Sequence, residues 1–365
     1  MFETLKNVIL LAFMLGLIIA IHEFGHLVAA KMFGVYVSEY AIGMGPTLFS
    51  KQYGETKYSL RAFPLGGFCA IAGDSEGGPE SEVDISNIPP ERTLTGISPL
   101  KRIVVMLAGV FMNCVLAWAI FAMIILSNGY YATSSKPVIL SVQENSPAMK
   151  AGIKEGDIVE KVELPNGLSI STDSYTELVS FLSTYEGDGA WKMKMNRDGE
   201  RIDIEVAPEY IEAEERYMIG IGFGSAAVDV KKVNIFNSLI FSLDYMKTML
   251  KIMISSLVSI FVGKIGVDNL SGPVGIYSTV KETATLGFSY YIQLIAVVSL
   301  NIGLMNLIPL PVFDGGRVVL TTIEMVIGRP INKKFEAVIM SISLAIMLFL
   351  IIFVTYNDIG KIIGG

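Results

Sequence analysis

Four long apolar stretches divide the chain. They predict membrane-spanning helices at roughly Leu5–Ala30, Ile103–Leu126, Tyr291–Pro311 and Phe335–Tyr356, because an α-helix needs about 20 mostly apolar residues to cross a bilayer. The first stretch is too long for the apolar core of a typical signal peptide, so we expect it to be a retained span. The sequence therefore predicts a polytopic α-helical membrane protein with about four transmembrane helices.

The pattern changes in the segments between these stretches. Residues 34–100 contain short alternating runs and turn residues, which are typical of strands and hairpins. Within them, the run 61–68 is unusually apolar for a surface loop. It is either an ordinary surface hairpin or a β-element that folds back into the membrane, where its free edge would pair with an extended substrate.

A second ambiguous segment spans residues 234–263. Its apolar residues recur at helical spacing, but Asp244, Lys247 and Lys251 interrupt them. These charges make a full span less favourable than an amphipathic helix that lies in the membrane interface or packs beside the bundle.

Composition agrees with a membrane protein and excludes some functions. The chain of 365 residues is 52% hydrophobic and only 17% charged, which is more apolar than an average globular protein. Its net charge of −7 gives no basic footprint for nucleic acid. The two cysteines, Cys69 and Cys114, suggest no disulfide framework. The expected partners therefore include the lipid bilayer and exclude nucleic acid.

Basic residues predict the orientation in the membrane. They are concentrated between the first two stretches and between the last two: Lys31, Lys51, Lys57, Arg61, Arg92, Lys101 and Arg102, then Arg317, Arg329, Lys333 and Lys334. Both segments fall on one side of a four-span protein, and the positive-inside rule makes that side the cytoplasm. The middle of the chain and both termini are then extracytoplasmic.

Candidate chemistry lies in the C-terminal half of the first span. The motif His22-Glu23-x-x-His26 contains the only two histidines of the chain. Residues four apart share one face of a helix, so both imidazoles can bind one zinc ion while Glu23 takes a proton from water. A chance match to so short a motif is the alternative. Ionisable groups inside an apolar span are costly, however, and they usually mark function.

A catalytic zinc typically has three protein ligands. No third histidine exists, so the third ligand must be Cys, Asp or Glu. Asp314 is the best candidate, because it follows the third apolar stretch in a Pro/Gly-rich turn and the predicted topology puts it at a depth similar to that of the histidines. The alternative is an ordinary exposed turn aspartate before Gly-Gly.

The middle of the chain has a motif of its own. The run S-P-A-x-x-A-G-I-x-x-G-D, Ser146–Asp157, resembles bacterial PDZ domains. Such domains bind peptides by adding a strand to a sheet edge. A domain that only blocks access sterically is the alternative, since an edge can be covered as well as paired.

Several motifs together resemble the site-2 protease family of intramembrane zinc metalloproteases. They are H-E-F-G-H, P-L-G-G-F, S-G-P-V-G-I and N-x-x-P-x-P-x-x-D-G-G, together with the intervening PDZ domain, and the resemblance runs from Leu5 to Tyr356. The branch with the greatest similarity is the bacterial regulator-of-sigma-E protease type, although this chain has one PDZ domain where the best-known members have two. That difference puts in doubt any gating by a paired-domain shield.

The resemblance implies specific roles. His22, His26 and Asp314 would bind one zinc ion, and Glu23 would be the catalytic base. Two asparagines and four hairpin residues match family positions that hold substrate: Asn301, Asn306, Pro64, Leu65, Gly66 and Gly67.

The resemblance also implies the substrates and the location. Substrates would be single-span membrane proteins, such as an anti-sigma factor already trimmed outside or a signal-peptide remnant, and the PDZ domain would take a peptide or a substrate tail. The location would be the bacterial cell (inner) membrane. A membrane-anchored protease of soluble peptides and a PDZ scaffold without catalysis are the rival functions.

These inferences give an expected order of segments along the chain. It is a first transmembrane helix (1–33), a cytoplasmic-side β-hairpin or re-entrant region with a loop (34–100), a second transmembrane helix (101–128), an inserted extracytoplasmic PDZ domain of α+β class (129–210), a linker with an amphipathic or interfacial helix (211–290), a third transmembrane helix (291–320), and a loop with a fourth transmembrane helix (321–365).

Overall fold

The computed structural model describes residues 2–74, 83–132, 136–171, 175–182, 185, 187–211, 216–226, 230–262 and 272–364. The chain forms two compact units. We call Met1–Phe121 with Leu270–Gly365 the membrane unit, and Ala122–Asn269 the inserted unit. The S-G-P-V-G-I motif lies only partly inside the described residues, because Ser271 is outside them.

The helices are α1 Phe2–Met32, α2 Pro99–Asn128, α3 Pro147–Lys150, α4 Tyr175–Leu182, α5 Ile235–Phe261, α6 Pro273–Leu286, α7 Phe288–Asn306, α8 Asp314–Ile327 and α9 Lys333–Gly364. The strands are β1 Val37–Tyr53, β2 Thr56–Ile71, β3 Tyr130–Ala132, β4 Lys136–Val142, β5 Ile158–Glu163, β6 Ser169–Ser171, β7 Trp191–Arg197, β8 Glu200–Val206, β9 Glu209–Ile211, β10 Arg216–Met218, β11 Ile221–Ala226 and β12 Val230–Lys232. A short 3-10 turn, Pro90–Arg92, precedes α2.

Four helices in the described part of the chain are long and apolar enough to cross a membrane: α1, α2, α7 and α9. The third apolar stretch runs to Pro311 in the sequence, but α7 ends at Asn306. Proline cannot continue a helix, because it has no N–H to donate and its ring clashes with the preceding turn. Pro309 and Pro311 therefore lie in the turn that joins α7 to α8.

Hydrogen bonds join the helices of the membrane unit. The hydroxyl of Tyr291 on α7 donates to the Leu10 carbonyl on α1, and Ser299 on α7 donates to the Asn113 carbonyl on α2. Arg102 on α2 forms an ion pair with Glu324 on α8, with 2.9 Å between Nη1 and Oε2. Helix α2 is therefore tied to both α7 and α8.

Strands β1 and β2 form one long, irregular antiparallel hairpin. The first part of β1, near Ala41, pairs with Phe68 on one side and with Ser59 on the other. The hairpin therefore folds over on itself, with the last residues of β2 outside the first part of β1. The predicted strands and hairpins in this region are present, and they form a single twisted element rather than several separate ones.

The inserted unit contains a sheet of six strands in the order β11-β4-β5-β7-β8, with β6 paired to β5. Strand β11 is an edge strand of this sheet, so the sheet continues past residue 210, where we expected the PDZ domain to end. The short hairpin of β9 and β10 separates β11 from β8 along the chain, and the boundary of the PDZ domain stays a prediction.

A buried ion pair stabilises the inserted unit. Asp157, in the G-D part of the PDZ-like motif, is fully buried and lies 2.7 Å from Arg197. Burial raises the pKa of the Asp157 carboxyl, but hydrogen bonds from Arg197 and from the Lys154 amide outweigh it, so the net shift is downward.

Helix α5 covers the segment that the sequence left ambiguous. The side chain of Asn234 accepts a hydrogen bond from the Asn237 amide and so caps its first turn. The helix is 27 residues long, but it is not one of the four candidate spans. Its interfacial placement therefore stays a prediction.

Candidate active site

The two histidines occupy one face of α1. His22 and His26 are both buried, and 3.2 Å separates their Nε2 atoms. Residues four apart on a helix are neighbours, which brings the imidazoles together without any distortion of the backbone. The two histidines of the predicted motif thus lie on one face of the helix, with both Nε2 atoms close enough to bind the same metal ion.

Asp314 joins this pair from α8. Its Oδ2 lies 3.0 Å from His22 Nε2 and 3.6 Å from His26 Nε2. Asp314 is the first residue of α8, where a carboxylate is favoured by the helix dipole. The two glycines that follow, Gly315 and Gly316, allow close packing, because a side chain at either would collide with the backbone of the α7–α8 turn. The D-G-G sequence therefore fixes the turn that carries the carboxylate.

These three atoms fit a zinc ion. Zinc bonds to nitrogen and oxygen of about 2.0 Å in a tetrahedron imply ligand atoms about 3.3 Å apart. The three observed separations are 3.2, 3.0 and 3.6 Å. In addition, Asp314 Oδ2 is buried without a hydrogen-bond partner, and such an atom is costly unless an ion or another group satisfies it.

Glu23 lies beside the two histidines. Its carboxylate and the histidine nitrogens are within 4.8 Å of one another. The backbone amide of Cys69, on β2, donates a hydrogen bond to this carboxylate. The base candidate is therefore held by α1 through its own backbone and by β2 through a hydrogen bond.

Helix α2 forms the wall behind the histidines. Val105, Gly109 and Asn113 are spaced four apart and share one face of α2. The Val105 carbonyl lies 2.8 Å from His26 Nδ1, and the Asn113 amide lies 3.3 Å from His22 Nδ1. The two helices thus run antiparallel, with one residue of α2 behind each imidazole.

Gly109 lies between these two contacts. A Cβ atom at this position would be 2.6 Å from His26 Nε2 and 2.7 Å from His22 Nε2. Gly25 on α1 makes the reciprocal approach, because a side chain there would collide with the Ala108 carbonyl. These two glycines therefore allow α1 and α2 to pack closely, and they leave room for the two imidazoles between the helices.

A cavity of about 300 Å³ opens onto this cluster. Among the residues predicted to hold substrate, Asn306 and Gly67 line it. Asn301 is exposed on α7 and is not part of its lining. Pro64 and Gly66 also lie outside the lining, although the Pro64 carbonyl lies close to Gly16 on α1. The side chain of Leu65 is outside the described part of the chain.

The sequence reasoning missed several residues around the cavity. Arg317 on α8 and Asp74, just after β2, form an ion pair with 2.6 Å between Nη2 and Oδ1, and both line the cavity. Gly109 was missed as well, although a small residue in an apolar span is a sequence signal for close helix packing.

Known proteins resemble the chain over nearly its whole length. The model of peptidase family M50 matches residues 10–350. A protein of Clostridium acetobutylicum that is named a "putative zinc metalloprotease" is 33% identical over 97% of this chain and 97% of its own length. The regulator of sigma-W protease RasP of Bacillus subtilis is 28% identical over 98% of this chain and 99% of its own length.

Among solved structures, the PDZ domain of an SdrC-like protein from Listeria innocua aligns with 26% of this chain and 98% of that domain, at 22% identity and a TM-score of 0.21. The family match and the relatives cover the same helices that carry the histidine pair and Asp314. The chain belongs to peptidase family M50, the site-2 protease family of intramembrane zinc metalloproteases.

Proposed function

We propose that this chain hydrolyses peptide bonds within the transmembrane segments of single-span membrane proteins, using one zinc ion. The observation that carries the proposal is the triangle of His22, His26 and Asp314, which lies where an apolar helix long enough to span the bilayer meets α8. A protease of soluble peptides would need a metal site open to bulk water, and the burial of these side chains speaks against it.

Each residue of the site has a role in this proposal. His22 Nε2, His26 Nε2 and Asp314 Oδ2 would hold the zinc ion. When bound, zinc lowers the pKa of water and polarises a carbonyl oxygen. Glu23 takes the proton of the attacking water and delivers it to the leaving amine. The Cys69 amide keeps the Glu23 carboxylate in place during both transfers.

An Asp314→Asn variant tests the metal site. We expect the purified wild-type chain to contain one zinc ion, and we expect the variant to lose most of it together with cleavage of a transmembrane substrate in detergent. An amide in place of the carboxylate removes the charged oxygen that zinc prefers. The control is Asp198→Asn, in an exposed turn of the inserted unit, which should keep both. Zinc and activity that survive in Asp314→Asn would place the third ligand elsewhere.

The substrate must unwind before it can be cut, because a helix hides its peptide carbonyls in internal hydrogen bonds. We propose that the end of β2, near Gly67, pairs with the unwound segment as an added strand. Asn306 lines the same cavity, and its side-chain amide would hold the substrate backbone. Pro64, Gly66 and Asn301, which do not line the cavity, would contribute outside it, together with Leu65 of the same segment.

Replacing Asn306 with leucine should slow cleavage about tenfold and leave the zinc content unchanged, since it removes one hydrogen bond to the substrate. Asn301→Leu should have a smaller effect, because Asn301 does not line the cavity. Cleavage rate and zinc content are measured on the same preparations. Loss of zinc in Asn306→Leu would make this residue structural instead.

The proposed location is a bacterial cell membrane, with the active site toward the cytoplasm and the PDZ-like domain outside. Basic residues between the spans support this orientation. Strand β11 is an edge strand on which a peptide or a trimmed substrate tail would pair. The name of RasP as a regulator of sigma-W protease is compatible with an anti-sigma factor as substrate.

Labelling of single cysteines tests this orientation. A cysteine at Gly54, in the β1–β2 turn, should react only from the cytoplasmic side. A cysteine at Gly167, in the turn between β5 and β6, should react only from outside. Both residues lie at exposed turns with open space around them, but their φ angles are positive, which favours glycine, so each cysteine variant is first checked for wild-type cleavage activity. The opposite labelling pattern would reverse the proposed topology.

A further inference from the structure

Asn113, next to the proposed metal site, is buried with one of its side-chain polar atoms unsatisfied. Asn113 is fully buried on α2, and its Nδ2 lies 3.3 Å from Nδ1 of His22. Its Oδ1 is buried as well and has no hydrogen-bond partner. A buried acceptor without a partner costs about 1–3 kcal/mol, so this orientation of the amide needs a reason.

The neighbouring histidine shows what the site requires. Nδ1 of His26 lies 2.8 Å from the carbonyl oxygen of Val105. A carbonyl can only accept, so His26 Nδ1 must carry the proton, and Nε2 is then the nitrogen with a free lone pair. That nitrogen is the one that faces Asp314 and His22. The backbone of α2 therefore presents His26 Nε2 as a metal ligand.

To bind metal through Nε2, His22 must also carry its proton on Nδ1. With Nδ2 of Asn113 toward it, His22 Nδ1 would have to accept, and the proton would then be on Nε2 and block coordination. A half-turn of the amide puts Oδ1 in the position now given to Nδ2. The two orientations have nearly the same shape, and only the hydrogen-bond network decides between them.

We propose that Asn113 is a positioning residue whose Oδ1 accepts the hydrogen bond of His22 Nδ1–H and thereby holds His22 Nε2 toward the metal. This inference rests on the proposed function. In this arrangement α2 supplies the hydrogen-bond acceptor for Nδ1 of both histidines. The acceptor is the backbone carbonyl of Val105 for His26 and the side-chain carbonyl of Asn113 for His22. Such outer contacts fix both the ring orientation and the tautomer of a metal-binding histidine.

The spacing of residues on α2 supports the assignment. Val105 and Asn113 lie eight residues apart, a little more than two turns of helix, and Gly109 lies midway between them. Ser299 on α7 donates to the Asn113 backbone carbonyl, so a neighbouring helix fixes the position of this residue. The Asn113 amide is thus held against His22 by backbone packing, and only its rotation is free.

Two near-isosteric variants separate the possibilities. Asn113→Leu removes the acceptor, and Asn113→Asp offers only acceptors. Zinc affinity is measured by competition with a chromogenic chelator on the full chain in detergent, and cobalt(II) absorption reports the geometry of the site. We expect zinc binding to weaken about 10- to 100-fold in Asn113→Leu. In Asn113→Asp, we expect zinc binding and the cobalt spectrum to stay close to those of the wild type.

Each other result would overturn part of the proposal. Unchanged affinity in Asn113→Leu would exclude a positioning role, and loss of affinity in Asn113→Asp as well as in Asn113→Leu would show that an acceptor at this position is not what holds His22. A wild-type chain that takes up no zinc would contradict the proposed function and the inference together. Cys114→Ala, one residue further along α2, is the matched control. If Asn113→Leu does not fold, Asn113→Ala removes the same acceptor with a smaller side chain.

Discussion

Replacing Glu23 with glutamine should lower the cleavage rate by about 10²- to 10⁴-fold, the range that a positioned general base contributes. Glutamine keeps the shape of the side chain but cannot take a proton from water. Since Glu23 is not one of the three proposed ligands, the zinc content should stay at one ion per chain. The measurement pairs single-turnover cleavage of a transmembrane substrate with metal analysis of the same sample.

The Glu23→Gln variant also separates a protease from a scaffold. A chain that works only by binding through its PDZ-like domain would keep its cellular effect in this variant, and that result would favour the scaffold. Glu336→Gln, a partly exposed carboxylate in the first turn of α9, is a matched control that should leave cleavage unchanged. Loss of zinc in Glu23→Gln would instead indicate that Glu23 is itself a ligand.

The second large effect is expected at Gly109. A methyl group there would lie 2.6–2.7 Å from the Nε2 atoms of both histidines, which is shorter than a van der Waals contact, so the imidazoles or α2 must move. A displacement of about 1 Å in a catalytic group can reduce the rate about 10²-fold. Gly109→Ala should therefore lose at least that much activity and bind zinc more weakly.

The control for this prediction is Gly360→Ala, near the end of α9, where an added Cβ meets no neighbour. Alanine is the better helix former by about 1 kcal/mol, so both variants gain helix propensity, and only Gly109→Ala should lose function. Zinc content, cleavage rate and thermal unfolding are compared across the two. Full activity in Gly109→Ala would show that α1 and α2 can separate at no cost to the site.

Much of this architecture was predictable, because lipid imposes strong rules on sequence. A bilayer requires long uninterrupted apolar helices, so the four candidate spans follow directly from hydropathy. The spacing of His22 and His26 follows from helix geometry. The approach of Asp314 was also inferred from sequence, through the depth that the positive-inside rule assigned to it.

Other features could not be predicted, because they depend on contacts between distant segments. The folded-over pairing of β1 and β2 involves residues such as Ala41 with two partners each, and alternation of apolar residues cannot reveal it. The edge strand β11 lies beyond the expected end of its domain for a similar reason. The contacts of Gly109 and Asn113 with the two histidines depend on how closely α2 approaches α1, and hydropathy does not show that distance.

The hydrogen bond from the Cys69 amide to Glu23 has one further consequence. Cys69 and Gly67 lie two residues apart on β2, so the strand that holds the proposed base also borders the cavity where substrate would lie. A tilt of the hairpin would carry both together. The distance between the proposed proton acceptor and the peptide bond to be cut would then be set by one short piece of backbone, and changes in the surrounding membrane would leave it constant.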